Sequence, residues 1–229
     1  MNKREKNKKK IAIFDLDGTL ADTRKDLATG INLMRKHYGF EPLPQEVVAG
    51  YVGDGIRKLV ERALSDVRNP PPIDEAVKMN AQFYREHIVD ETTLYPGVSE
   101  GLETLCQNNF FNTVITNKPY KAAVFILEHF KIKKFFKMII GGDSGFPLKP
   151  DPSAIFHVIS EINKKYNFAL NANEHGWVIG DNHTDIAAAK NASLKSIFVN
   201  YGFGKLLEQS PCVVCNSFTE VVEVLISEQ

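Results

Sequence analysis

The sequence predicts an α/β protein, a parallel sheet with helices on both faces, interrupted by an inserted all-helical domain. Short apolar runs alternate with helical patterns over most of the chain, and the runs lack in–out alternation, as expected for strands buried on both faces. Residues 21–93 break that rhythm with three helical stripes and no strand, too much helix for a single crossover. A length of 229 residues, 43% apolar and 24% charged, allows a sizeable core and excludes a disordered or collagen-like chain. The expected division is a disordered basic tail at 1–10, an α/β core of 11–20 and 94–229, and a helical cap of 21–93.

In chain order, strands are expected at Ile11–Phe14, Thr113–Ile115, Met138–Ile140, Trp177–Ile179 and Ser196–Val199. Core helices are expected over 98–110, after the Pro96–Gly97 break, and over 119–130, with Pro119 just inside. Two more follow, over 152–166 with Asp151 as cap and over 184–193 with Thr184 as cap. In the insert, Leu27, Ile31, Met34 and Tyr38 fall on one helical stripe, and Ile56, Leu59, Val60, Ala63 and Leu64 on a second. The third is Val77, Ala81, Tyr84 and Ile88, after the stiff Pro70–Pro71–Pro72 connector. Such an insert is expected over the carboxyl ends of the strands, where open α/β sheets bind ligands.

The 28 basic and 28 acidic side chains are unevenly placed. Residues 1–10 hold six bases and one acid, which leaves 22 bases and 27 acids in the rest. A basic arm can bind nucleic acid only through salt-sensitive, sequence-independent attraction, and the acidic body opposes it. No apolar run reaches the length of a signal-peptide core or a membrane span. Three cysteines, an odd count, argue for a reducing compartment, so a cytoplasmic location is expected. Cys212-Val213-Val214-Cys215 reads as a buried strand with plain buried cysteines, not as a redox or metal pair.

The sharpest feature is Asp15-Leu16-Asp17-Gly18-Thr19, directly after the first strand. Residues two apart on an extended chain share a face, so Asp15 and Asp17 point the same way, and Gly18 lets the chain turn aside. Other strands are followed by Thr116-Asn117 and by Gly180-Asp181-Asn182-His183-Thr184-Asp185, and Lys149 precedes the Asp151 cap. Taken singly, Thr116 reads as a helix start, Lys149 as a surface lysine and Asp185 as a first-turn charge. Together they put four carboxylates, a lysine and a hydroxyl at one sheet edge. Four close carboxylates repel unless a cation joins them, which favours a hard divalent ion, Mg2+. Lys149 and the amide-rich helix start at Pro119 suit a dianionic phosphate. An aspartate can attack phosphorus and a second can serve as acid and base, so Asp15 is expected as nucleophile and Asp17 as proton donor.

These four motifs, Phe14 to Leu20, Ile115-Thr116-Asn117, Lys149-Pro150 and Gly180 to Asp185, resemble those of haloacid dehalogenase superfamily phosphohydrolases. Tyr51-Val52-Gly53-Asp54-Gly55 and Leu59 to Leu64 add a resemblance to phosphoglycolate phosphatases with a helical cap, as do Asn117-Lys118-Pro119 and Gly141-Gly142-Asp143. The resemblance spans roughly 11–225. It implies a Rossmann-like, haloacid dehalogenase-like core and a small phosphorylated metabolite as substrate, with 2-phosphoglycolate foremost. It also implies Mg2+ held by Asp15, the main-chain carbonyl of Asp17 and Asp181, with Asp185 in support. Thr116 would hold a phosphoryl oxygen and Lys149 would bridge nucleophile and phosphate; Gly18 and Asn117 would border the phosphate. One departure is Asn182, where the family usually carries Ser or Thr.

Arg57, beside Gly53 and Gly55, is the candidate for pairing with a substrate carboxylate, against a solvated helix-start arginine. Asp17 argues against a dehalogenase, which needs no leaving-group acid. A phosphosugar phosphatase, a pyrophosphatase and a phosphomutase remain as alternatives. The non-enzyme alternatives are an inactive scaffold, disfavoured by the intact carboxylate set, and a nucleic-acid binder acting through the tail.

Overall fold

A computed structural model describes residues 10–166 and 176–227. Residues 1–9 of the predicted tail lie outside the described residues. Lys10 does not belong to that tail: it starts strand β1 (Lys10–Phe14) and is buried, with Nζ 3.5 Å from the Leu225 carbonyl oxygen.

Strands β1, β4 (Phe110–Ile115), β5 (Phe136–Ile140), β6 (Gly176–Gly180), β7 (Lys195–Val199) and β8 (Val213–Cys215) form one parallel sheet in the order β5-β4-β1-β6-β7-β8. The chain adds β4 and β5 on one side of β1 and then crosses to β6, β7 and β8 on the other, so β1 sits at the switch in strand order, where a crevice opens at the carboxyl ends. Alternate residues of β1 enter two apolar layers. Ala12 and Phe14 pack with Leu102, Val114, Ile179 and Phe218, while Ile11 and Ile13 pack with Phe111, Ile155, Val158 and Val178. The sheet is therefore covered on both faces, as its non-alternating runs predict.

The insert is joined to the core by a ribbon that the sequence did not announce. Strands β2 (Ala21–Asp22) and β3 (Thr93–Leu94) pair antiparallel, each too short for a pattern of period two to show. Between them lie helices α1 (Arg24–His37), α2 (Gln45–Ala49), α3 (Gly55–Ala63) and α4 (Ile73–Glu86). The first two predicted stripes are buried at Leu27, Ile31 and Met34 and at Leu59, Val60, Ala63 and Leu64. The third holds at Tyr84 and Ile88 but not at its start: α4 buries Ala76 and Asn80, while Val77 is half-buried and Ala81 is exposed. A polar residue in the middle of the buried row hid the true register.

Helices α5 (Val98–Gln107), α6 (Tyr120–His129), α7 (Ser153–Tyr166), α8 (His183–Asn191) and α9 (Phe218–Ser227) complete the described α-helices. Helix α5 ends before 110 because Asn109 turns the chain at φ 62° into β4. Helix α8 is capped by Asn182, not Thr184: the Asn182 side chain accepts from Thr184 N, and Asp185 accepts from Asn182 N. β8 is an edge strand, so the predicted buried strand is buried only at Cys215, and Cys212 is exposed. All three cysteines are free, and burial pushes the Cys215 thiol up to about 11, opposite to a redox-active thiol. No helix among the described residues is long and apolar enough to cross a membrane.

Candidate active site

The loop after β1 is wound tightly: the amides of Thr19, Leu20 and Ala21 all donate to the Leu16 carbonyl. This winding delivers Asp15 and Asp17 to one cavity under the cap, and Gly18 makes it feasible. Its φ is 84°, and a Cβ there would lie 2.0 Å from Asp181 Oδ2. Gly18 thus lets the β1 loop and the β6 loop touch, which brings Asp181 beside Asp15.

Asp15, Asp181 and Asp185 can each present an oxygen within 4.8 Å of the others. Lys149 Nζ donates to Asp15 Oδ1 at 2.8 Å, Asp185 Oδ1 at 2.6 Å and the Ile115 carbonyl at 2.8 Å. All three ammonium protons are thereby used. Far from being a surface lysine, Lys149 is 6% exposed. Burial works against its charge, yet Asp15 and Asp185 outweigh it and hold its pKa above the ordinary value. One cation does not satisfy three carboxylates. Burial raises Asp15 to about 6 against the pull of Lys149, with Asp185 and Asp17 adding to the rise. Asp181 is raised well above the usual range by burial and by Asp15 and Asp185, despite amides from Gly204 and Phe203. A buried oxygen-donor set short of positive charge fits a hard divalent cation.

Asp17 does not join this trio, although the sequence suggested four carboxylates together. It accepts from Thr23 Oγ1 at 2.7 Å and pairs with Lys118 Nζ at 2.9 and 3.2 Å. Lys118 also donates to Tyr84 Oη of α4 at 2.7 Å. Sequence reasoning passed over Lys118, because a lysine at a helix start ordinarily reads as a solvated charge, yet it is 6% exposed. Its pKa is raised because Asp17 and Tyr84 together outweigh the cost of burial.

Thr116 borders the same cavity, its Oγ1 accepting from Lys118 N at 3.2 Å. The Asn117 side chain is spent within the protein. Nδ2 donates to the carbonyls of Gly53 and Lys149, and Oδ1 accepts from Lys149 N. It therefore fixes the Lys149 loop and ties it to the cap. At the expected phosphate-binding helix start at Pro119, one amide is already engaged: Tyr120 N donates to Asp143 Oδ1 at 2.7 Å. Arg57 is not brought to the cavity at all: it is exposed on α3 and paired with Asp74 and Glu61. The Val52–Gly53 peptide faces the site instead, with Asn182 Nδ2 donating to the Val52 carbonyl at 3.3 Å. A Cβ on Gly53 would lie 2.5 Å from that nitrogen.

Residues 12–199 match the haloacid dehalogenase-like hydrolase family. The chain is 35% identical to a phosphoglycolate phosphatase of Chromobacterium violaceum over 94% of its own length and 96% of the relative's. It is 33% identical to a phosphoglycolate phosphatase of Psychrobacter arcticus, covering 95% and 96% of the two chains. The crystal structure of a predicted phosphoglycolate phosphatase from Haemophilus somnus superposes with a TM-score of 0.84 at 26% identity, over 94% of this chain and 97% of that one.

Proposed function

The chain belongs to the haloacid dehalogenase-like hydrolase family, and we propose that it hydrolyses small phosphomonoesters through Asp15, with 2-phosphoglycolate foremost. The observation that carries this reading is Lys149, buried between Asp15 and Asp185 while Asp17 stands apart on its own cation. The two aspartates of one motif thus have separate surroundings, as separate roles require.

An Asp15 carboxylate oxygen attacks phosphorus, the bond to the leaving oxygen breaks, and that oxygen receives its proton through Asp17. Water then attacks the aspartyl-phosphate, Asp17 takes a proton from it, and phosphate departs with Asp15 restored. Lys149 holds Asp15 in place and offsets its charge as the phosphate dianion approaches. Thr116 supplies a hydroxyl to a phosphoryl oxygen. Asp15, Asp181 and the Asp17 main-chain carbonyl would hold Mg2+, with Asp185 in support. The ion would supply the positive charge that this acidic set lacks.

Phosphate release from a panel of 2-phosphoglycolate, sugar phosphates, nucleotides and pyrophosphate, ranked by kcat/KM with Mg2+, tests the reading. Asp15→Asn is expected to abolish release from every member; full activity in that variant overturns catalysis through Asp15. Transfer of phosphoryl between sugar positions instead of release would favour the phosphomutase alternative.

A further inference from the structure

The cavity has a volume of about 510 Å3, in the range that holds whole drug-sized ligands, roughly 300–1,000 Å3. A phosphate and a two-carbon acid fill only the part beside Asp15, Asp17 and Lys118. The lining further includes the apolar side chains of Ile56, Leu59 and Ile88 from the cap and of Ala122 and Phe125 from α6. The exposed polar side chains Lys78, Gln82, Arg85 and Lys121 also line it, and Asn80 differs from them in being buried. Asn80 lines the cavity, is 3% exposed, and its Oδ1 has no hydrogen-bond partner. A buried carboxamide oxygen without a partner costs roughly 1–3 kcal/mol, so it calls for an explanation. On α4, Asn80 lies one turn from Tyr84, whose hydroxyl touches the Lys118–Asp17 pair. Four residues of helix rise about 6 Å, so Asn80 stands that far along α4 from Tyr84.

We propose that the cavity also takes longer phosphomonoesters, whose leaving group has an apolar middle and a hydrogen-bonding end group that Asn80 reads. This rests on the phosphatase reading and extends its substrate class. The apolar walls bury the middle of such a leaving group, and the carboxamide, which can donate or accept, selects the end group. Asn80 is a specificity residue here and takes no part in the bond-breaking step.

The test compares ω-hydroxyalkyl phosphates with the matching n-alkyl phosphates, from about four to eight carbons, a span of one to two helical turns. Wild-type protein is expected to prefer the hydroxylated member at one or more lengths by about tenfold in kcat/KM. Asn80→Leu, which keeps the branched shape of Asn without its polar atoms, is expected to erase that preference. It should leave 2-phosphoglycolate hydrolysis unchanged and keep or raise Tm, because an unpaired polar group has been removed. A structural role for Asn80 predicts the reverse on Tm. The proposal is overturned if no length shows the preference, if the variant keeps it, if 2-phosphoglycolate hydrolysis falls equally, or if Tm drops. Absence of phosphate release from every ester, short ones included, would instead remove the phosphatase reading and the proposal with it.

Discussion

Lys118 Nζ lies 2.9 Å from Asp17 Oδ1, and both side chains are nearly removed from solvent, at 3% and 10% exposure. Removing one partner of such a buried pair strands the other charge, at a cost of about 3–5 kcal/mol. Lys118→Met is therefore expected to lower stability in urea by about that amount and to slow phosphate release. The double variant Lys118→Met with Asp17→Asn should recover most of the stability and none of the activity. A double variant as unstable as Lys118→Met alone would show that Lys118 matters through packing and not through Asp17.

Asn182 holds the start of α8 through Oδ1 and the Val52 carbonyl of the cap through Nδ2. Serine caps a helix about as well as asparagine but is too short to do both. For Asn182→Ser we expect Tm within a few degrees of wild type, kcat lowered less than tenfold, and a larger rise in KM as the cap contact is lost. Steady-state kinetics on 2-phosphoglycolate decide this. An unchanged KM would mean that the Val52 contact does not hold the cap over the substrate.

Of the clustered Asp15, Asp181 and Asp185, Lys149 pairs with the first and last only, so a divalent cation should stabilise the folded chain markedly. A ligand that binds only the folded state at a hundred times its Kd adds about 2.7 kcal/mol. Thermal unfolding is expected to shift upward with Mg2+ in a saturable way, and EDTA should reverse the shift. Asp181→Asn should unfold at a higher temperature than wild type without metal, since a like charge is gone, and should lose the Mg2+ response. A variant that still responds fully would remove Asp181 from the ion's site.

The parts of this site that sequence reveals are those fixed by backbone geometry. Asp15, Asp17, Thr116, Asp181 and Asp185 all follow apolar runs that become neighbouring strands, so parallel topology alone gathers them at one edge. What stayed hidden depends on side-chain direction between distant segments. Lys118 and Arg57 both read as helix-start cations; only tertiary packing sends the first inward to Asp17 and the second outward to Asp74. Asn182 reads as a departure from a family pattern until Val52, 130 residues away in sequence, is placed against it. Asn80 interrupts an apolar row, so the start of the α4 stripe reads onto the half-buried Val77 and the exposed Ala81, while Tyr84 and Ile88 read correctly.

The cap carries a pH-sensitive tie away from the cavity. The Arg35 side chain, 2% exposed, is bidentate on Asp66, with both contacts at 2.8 Å, and also donates to the carbonyls of Glu41 and Ala63. Hydrogen bonding to Arg35 holds the Asp66 carboxyl below its ordinary value, outweighing what burial it has. A carboxyl lowered in the folded state contributes stability that is complete above its unfolded pKa, about 3.9, and is lost as pH falls through the lower folded value. Because Asp66 is 55% exposed, solvent screening limits this to about 1 kcal/mol or less. Asp66→Asn should therefore be slightly less stable than wild type at pH 7, and urea midpoints of the two should converge as the pH is lowered through the acid range below about 4. Arg35→Met should cost more, about 2 kcal/mol, because two carbonyls, that of Ala63 buried, also lose their donor. A difference between wild type and Asp66→Asn that stays constant down to pH 3 would show that the Arg35–Asp66 charge pair contributes nothing beyond shape.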